Sequence, residues 1–246
     1  MFTKFKSPAA AALIALTVLV YSSCNKEAKV ANTNTDKEMA TSIAVNLYNS
    51  IGNTIASKTT SGLPATNSVR NGKKVNDLTC GQYIEVPYDN TYTKGDTVKD
   101  VMTGSNKYVV SCDAGNQPNG YTYTGSYVNT GFSPYAVYDI SVKEYYTLKS
   151  LLPEFVKMEV NGNQSSVYKI TTKKDGDYIV QNNTYVLKGI IIDAANRPFD
   201  ITAGTANFTS AGNNAGKDFN FTGTIKFLGE HKATVSFNGQ VFDITL

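Results

Sequence analysis

Few residues in this chain have the types and spacing that chemistry needs. His231 is the single histidine, so a multi-histidine metal site is excluded, and Glu230-His231 lacks the second histidine of a zinc-protease helix. A structural or solvated role at a strand end is expected for it. No Gly-x-Ser-x-Gly elbow, Walker loop or Gly-x-Gly-x-x-Gly turn stands between a strand and a helix. Asp175-Gly176-Asp177 offers carboxylate oxygens, but calcium takes about 6–8 ligands, and as a hairpin turn the tripeptide needs no ion. Asp139 and Glu144 form a conceivable glycosidase pair whose separation cannot be read from spacing along a sheet. The expectation is therefore a protein without catalytic residues, cofactor or metal. Tyrosine is the remaining oddity, at 16 residues with no tryptophan. Tyr121, Tyr123 and Tyr127 share one side of a strand and are expected in the core. Tyr83, Tyr88, Tyr92, Tyr135 and Tyr145 are the candidates for an exposed binding surface, because an amphipathic ring can stack on sugars or anchor a protein partner.

The other chemistry-bearing residues are cysteines. Lys4 and Lys6 precede an almost purely apolar run, Ala9 to Val20, which ends in Tyr21-Ser22-Ser23-Cys24. The run is too short for the ~20 residues of a transmembrane helix and suits the core of a signal peptide. With two small residues before the cysteine, this segment resembles the bacterial lipoprotein signal and its lipobox. Tyr21 departs from the usual Leu at that position. The resemblance covers residues 1–24 and implies that the leader is cut before Cys24, whose thiol and amine are then acylated, palmitate being a typical chain. Asn25, rather than Asp, after the cysteine implies sorting to the outer membrane of a Gram-negative envelope. More than one acyl chain is needed for stable anchoring, and a multiply acylated cysteine meets that need without a spanning helix. Export to an oxidising compartment makes a Cys80–Cys112 disulfide the expectation. Strand parity agrees: Cys80 falls in phase with Ile84, Val86 and Tyr88, and Cys112 with Tyr108 and Val110.

Charge narrows the partners. The leader holds two of the 23 basic residues and none of the 20 acidic ones, which leaves 21 against 20 beyond it. Such a near-neutral chain, without a Lys/Arg block, lacks the electrostatic footprint of a nucleic-acid binder. The membrane, reached through the lipid, and a glycan or envelope protein are the expected partners.

The elements that position these residues follow from periodicity. Residues 1–23 read as signal peptide and 24–34 as a lipidated polar tether. An amphipathic helix is expected over 35–58, where Met39, Ile43, Leu47, Ile51 and Ile55 recur every fourth position. Thr35 and Glu38 suit a capping box at its start, and Lys37, Thr41, Asn46, Asn49 and Asn53 point elsewhere. Its polar side lacks the Lys/Arg enrichment of a membrane-surface helix, so packing on a sheet is expected. Residues 59–76 read as a loop, and 77–246 as an antiparallel β domain of roughly ten strands. Asn161-Gly162, Asp175-Gly176 and Asn238-Gly239 are hairpin signals. The last predicts Phe237 opposite Gln240, Val235 opposite Phe242 and Ala233 opposite Ile244. Phe208 falls out of phase with Phe199, Ile201 and Ala203, which predicts a bulge near Gly204, and Ser210–Lys217 reads as a small-residue loop.

The fold class expected is mainly β: an antiparallel β-sandwich or strongly curved meander sheet with one N-terminal amphipathic helix. The function expected is a lipid-anchored envelope lipoprotein, facing the periplasm or the surface, that serves as a binding or scaffolding module for glycan or protein. A carrier enclosing an apolar ligand between curved sheet and helix is the alternative, and an enzyme of unrecognised type the third reading.

Overall fold

The structure, a computed structural model, describes residues 33–52, 79–152, 157–193 and 199–246. It holds one helix, α1 (Thr33–Ile51), followed by ten strands: β1 (Tyr83–Lys94), β2 (Val98–Cys112), β3 (Pro118–Phe132), β4 (Ala136–Ser150), β5 (Lys157–Thr172), β6 (Tyr178–Asp193), β7 (Asp200–Asn214), β8 (Lys217–Gly229), β9 (Lys232–Phe237) and β10 (Gln240–Thr245). The strands form a single sheet in sequence order, each antiparallel to its neighbours, with β1 and β10 at its two ends. Of the two architectures expected, the curved meander is the one observed; there is no second sheet among the described residues to make a sandwich.

Curvature follows from what the helix touches. Ser50 reaches Glu144 on β4, the carbonyl of Ile43 accepts a hydrogen bond from Tyr185 on β6, and Tyr48 meets His231 in the β8–β9 turn. On a flat sheet β4 and β9 would stand about 24 Å apart, five steps of ~4.8 Å. A helix is only ~10–12 Å wide, so the sheet must curl around it. Bulges supply the bend: the register shifts at Ser111/Cys112, Val160/Gly162, Lys188/Ile191, Ile191/Ile192 and Phe227/Gly229. The irregularity expected near Gly204 is present, with φ of +108° there and the carbonyl of Gly189 lying where a Cβ would go.

The core lies between α1 and the concave face. Ala40, Ile43, Ala44, Leu47 and Ile51 are fully buried and share one cluster with Tyr185, Leu187, Ile190, Ile201, Ile225, Phe227 and Val235. Removing each such Leu or Ile side chain from water contributes about 1.5–3 kcal/mol. Burial extends beyond the apolar stripe, and Asn46 and Ser50 are buried too. Asn46 therefore does not occupy the outward face expected of it, because the curled sheet encloses more of the helix than a flat one would.

Several local expectations are corrected. The helix begins at Thr33, which puts Thr35 inside its first turn rather than at the cap position before it. The helix ends at Ile51, and its first two residues, 33 and 34, belong to the expected tether; residues 53–58 of the expected helix, the 59–76 loop, and Cys24 with the tether through residue 32 lie outside the described residues. Asn161-Gly162 is no hairpin turn but a bulge inside β5. Gly162 has φ of +143°, and a side chain there would strike the carbonyl of Tyr145. Ser210–Asn214 is strand rather than loop: Ser210 is buried, and Gly212 lies where a Cβ would meet the carbonyl of Val180. Small residues here serve close strand approach. Cys80 sits in a turn before β1, not on a strand. The turns at Asp175-Gly176 and Asn238-Gly239 form as expected, the latter in the predicted register.

Pro87, within β1, fits an edge position, since a proline cannot donate to a ladder on both sides; β2 is the only neighbour of β1 among the described residues. The Cys80–Cys112 disulfide, with a Cα–Cα distance of 5.7 Å, closes the base of the β1–β2 hairpin.

Candidate functional site

Three groups of side chains merit scrutiny, the first inside the curl. Asn106, Gly125, Glu144 and Gln164 are successive cross-strand partners on the concave face of β2 to β5. Gly125 has no side chain, and a Cβ there would fall on the hydroxyl of Tyr123. That gap lets the Tyr123 ring lie across β3, its hydroxyl 2.9 Å from Asn106 Oδ1 and 3.1 Å from Glu144 Oε2. Tyr146, stacked on Tyr123 with centroids 5.8 Å apart, brings its hydroxyl 3.2 Å from Glu144 Oε1 and 3.1 Å from Gln164 Oε1. Ser50 Oγ of the helix donates to Glu144 Oε1 at 2.6 Å. Glu144 is only 3 % exposed.

Proton counting orients this network. Each phenol has one proton but two oxygen neighbours, and an ionised carboxylate is the stronger acceptor. Tyr146 therefore donates to Glu144, and the amide of Gln164 turns its N–H group toward the Tyr146 oxygen, while Tyr123 lies between Asn106 Oδ1 and Glu144 Oε2. That rotation gives Gln164 Nε2, buried and otherwise unsatisfied, its acceptor. Burial, with the Glu144 charge as the second cause, holds the Tyr146 phenol well above its usual pKa, and burial does the same for Tyr185. The Tyr168 phenol is pushed up to about 12 by burial, opposed by a bond to Ser166 and reinforced by Glu144. A second polar chain continues the belt: Gln181 donates to Asn183 and Ser210, and Asn183 to Ser166, at 3.1–3.3 Å.

The belt fastens α1 to the sheet. Its one carboxylate collects hydroxyl donors, a satisfied arrangement rather than a poised acid–base pair. Asp139, the other half of the conceivable glycosidase dyad, is exposed on the convex face beside Lys169 at 3.7 Å, and Glu144 points to the opposite face. The two cannot flank one bond. Among the described residues no group of three His, Cys, Asp or Glu side chains gathers around a metal position.

The second group surrounds His231. Glu230 and His231 form the β8–β9 turn with φ of +53° and +55°, a conformation that costs about 1–2 kcal/mol per non-glycine residue. The Asp200 carboxylate offsets this by accepting both turn N–H groups, at 2.7 and 3.2 Å. Tyr48 Oη lies 2.7 Å from His231 Nδ1 and donates to the carbonyl of Phe199 at 2.9 Å, on whose ring Tyr48 also stacks. His231 Nδ1 is 3.8 Å from Asp200. Both neighbours approach the same ring nitrogen, whereas a catalytic relay uses the two nitrogens separately. The cluster locks the helix to the turn, in keeping with the structural role expected for His231, whose carbonyl accepts the N–H of Leu246 at 2.7 Å. Burial, then the charge of Asp200, raises the Tyr48 phenol.

These raised phenols give a pH prediction. Tyr48, Tyr121, Tyr146 and Tyr185 have folded pKa values above the unfolded value of about 10. Their contribution is complete below pH ~10 and is lost as pH rises toward the folded values, each phenol steepening the decline by about 1.4 kcal/mol per pH unit. Tyrosinate absorbance and loss of β-sheet circular dichroism are expected to climb together in one cooperative alkaline step. Ionisation of all tyrosines with the sheet signal intact would contradict it.

The third group is the surface. Of the five tyrosines expected to be exposed, Tyr83, Tyr92, Tyr135 and Tyr145 are so; the side chain of Tyr88 lies outside the described residues. They do not form one platform. Tyr83 and Tyr145 face the convex side, Tyr92 has concave parity near the end of β1, and Tyr135 sits in the β3–β4 turn. What the register does bring together is a convex row that crosses every strand: Glu85, Lys107, Thr124, Tyr145, Asn163, Val186, Asn207, Thr224, Ser236 and Val241. Tyr145 stands near its middle between Thr124 and Asn163, and Lys107 Nζ lies 5.0 Å over the Tyr83 ring.

The Glu144 belt escapes a reading of the sequence, although a signal exists. Glu144 falls in phase with Ile140, Val142, Tyr146 and Leu148, a charge on the apolar side of the longest alternating run. Comparison with protein-family models, curated proteins and solved structures finds no match for this chain.

Proposed function

We propose that this chain is a lipid-anchored cell-envelope lipoprotein, held at an outer membrane through acylated Cys24, whose sheet is a non-catalytic binding or scaffolding module for glycan or protein partners. One observation carries the binding half: the exposed Tyr145 ring set between the hydroxyl and amide side chains of Thr124 and Asn163 on a continuous convex row. An aromatic face flanked by hydrogen-bonding groups suits a sugar ring or a polar protein surface. The anchor half rests on the sequence of residues 1–24. The carrier reading draws less support, since Ile43, Leu47 and Ile51 fill the space between helix and sheet.

The test is a glycan array and an envelope-protein capture with the full chain and its Tyr145→Ala variant. A partner using the row is expected to lose about tenfold in affinity, the ~1.4 kcal/mol of one aromatic contact. Unchanged binding by the variant would remove the convex row as the site. Fractionation and intact mass of wild type against Cys24→Ala test the anchor separately.

A further inference from the structure

We infer that the molecule stands on the bilayer by one end of its sheet, with the β3–β4 and β5–β6 turns as the membrane-contacting rim. This rests on the lipid-anchor reading and goes beyond it by assigning the docking surface. A meander places alternate turns at opposite ends. The β1–β2, β3–β4, β5–β6, β7–β8 and β9–β10 turns share one end, and the β2–β3, β4–β5, β6–β7 and β8–β9 connections share the other.

The helix tells which end meets the anchor. Met39 Sδ lies 3.9 Å from the amide of Gln181, three residues into β6, whereas Tyr48 bonds to Phe199 and His231 at the far end. Thr33 precedes Met39 by six residues, about 9 Å along a helix axis. Tyr178, where β6 starts, lies about 10 Å beyond Gln181. The helix therefore runs from the β5–β6 end of the sheet toward the β8–β9 turn. From Cys24 to Thr33 is nine peptide steps, so the acylated residue lies at most about 32 Å away. The opposite turns are about 50 Å of strand distant, as a 15-residue β4 measures.

The near end has the side chains for an interfacial seat. Tyr135, Val137 and Tyr178 are exposed by 55, 49 and 48 %. Val137 and Tyr178 both pair with Thr171, and the carbonyl of Tyr135 accepts the N–H of Lys173 at 2.8 Å, so the two turns form one patch. Lys173 also covers the Phe132 ring at 5.0 Å. Aromatic rings and lysines are the side chains that settle at headgroup level. Asp175 and Asp177 on the same turn offset Lys173 and Lys174, so the seat depends on aromatic burial more than on anionic lipid. Composition alone would not choose this end, because Leu151, Leu152 and Leu228 are exposed near the other. The reach from Cys24 chooses it.

The chain has no tryptophan, so a single introduced one is a clean depth reporter. The full acylated chain carrying Tyr135→Trp, Tyr178→Trp or Leu152→Trp is reconstituted into phosphatidylethanolamine–phosphatidylglycerol vesicles with brominated acyl chains, and intact mass is recorded on each sample. Both rim variants are expected to show blue-shifted emission quenched about threefold more strongly than Leu152→Trp. Equal quenching at the two ends, or stronger quenching of Leu152→Trp, on an acylated sample overturns the orientation and leaves the anchor standing. An unacylated chain overturns both.

Discussion

Replacing Glu144 by alanine is expected to cost about 3–5 kcal/mol of folding stability, the range for breaking a buried charged network from one side. Ser50, Tyr123 and Tyr146 lose the acceptor they converge on, and the deleted carboxyl leaves a hole behind three side chains that cannot all turn to water. A typical domain is stable by only ~5–15 kcal/mol, and a chain of this size loses roughly 2–4 °C of melting temperature per kcal/mol. The variant should therefore melt on the order of 10 °C lower. Urea unfolding followed by circular dichroism should show the midpoint falling at unchanged slope. Because Ser50 is the helix's share of the network, Ser50→Ala should be nearly silent in the Glu144→Ala background and costly alone. A Glu144→Ala loss below about 1 kcal/mol would show that the belt is not what fastens α1.

Removing the Cys80–Cys112 bridge by a double Cys→Ser change is expected to cost about 3–4 kcal/mol, as the chain-entropy relation gives for the sequence separation of 32. The loss should be unevenly distributed. β1 has one neighbour among the described residues, and its side chains are mostly exposed, so the ladder to β2 and the bridge carry most of what holds it. Hydrogen exchange should find the β1 amides unprotected in the variant while those of β5–β8 keep their order. Uniform loss of protection across the sheet, or an unchanged urea midpoint, would show that the edge hairpin does not depend on its staple. Adding reductant to the wild type should reproduce the variant.

The sheet was legible where one face is apolar and the turn is short. Asn238-Gly239 fixes its register because a two-residue turn leaves Phe237, Val235 and Ala233 only one set of partners, and a slip by one residue would expose all of them. Asn161-Gly162 carries the same dipeptide and misleads, since a glycine that relieves a clash with a neighbouring carbonyl looks in sequence like one that makes a turn. The disulfide was legible from export to an oxidising compartment, whereas the parity argument fails for Cys80, which reaches Cys112 from a turn rather than a strand. Asn46 reads as part of the outward helix face and is buried, because amphipathicity reports the preferred side of a helix and not how far a sheet wraps it. The partners of Tyr48 and Ser50 lie as much as 183 residues away, and local pattern carries nothing about contacts at that distance. Of the surface tyrosines, exposure was legible and common orientation was not: Tyr83 and Tyr92 have opposite parity on the same strand.

Those long separations have a bearing on biosynthesis. The ribosome makes α1 before every strand of the sheet, yet Tyr48 has neither the Phe199 carbonyl nor the His231 ring until β8 has been made. Each hairpin needs only its immediate predecessor, so strands can zip up as they emerge, whereas α1 must wait for the β8–β9 turn. A nascent chain arrested before β8 would carry its apolar helix with no His231 turn to hold it.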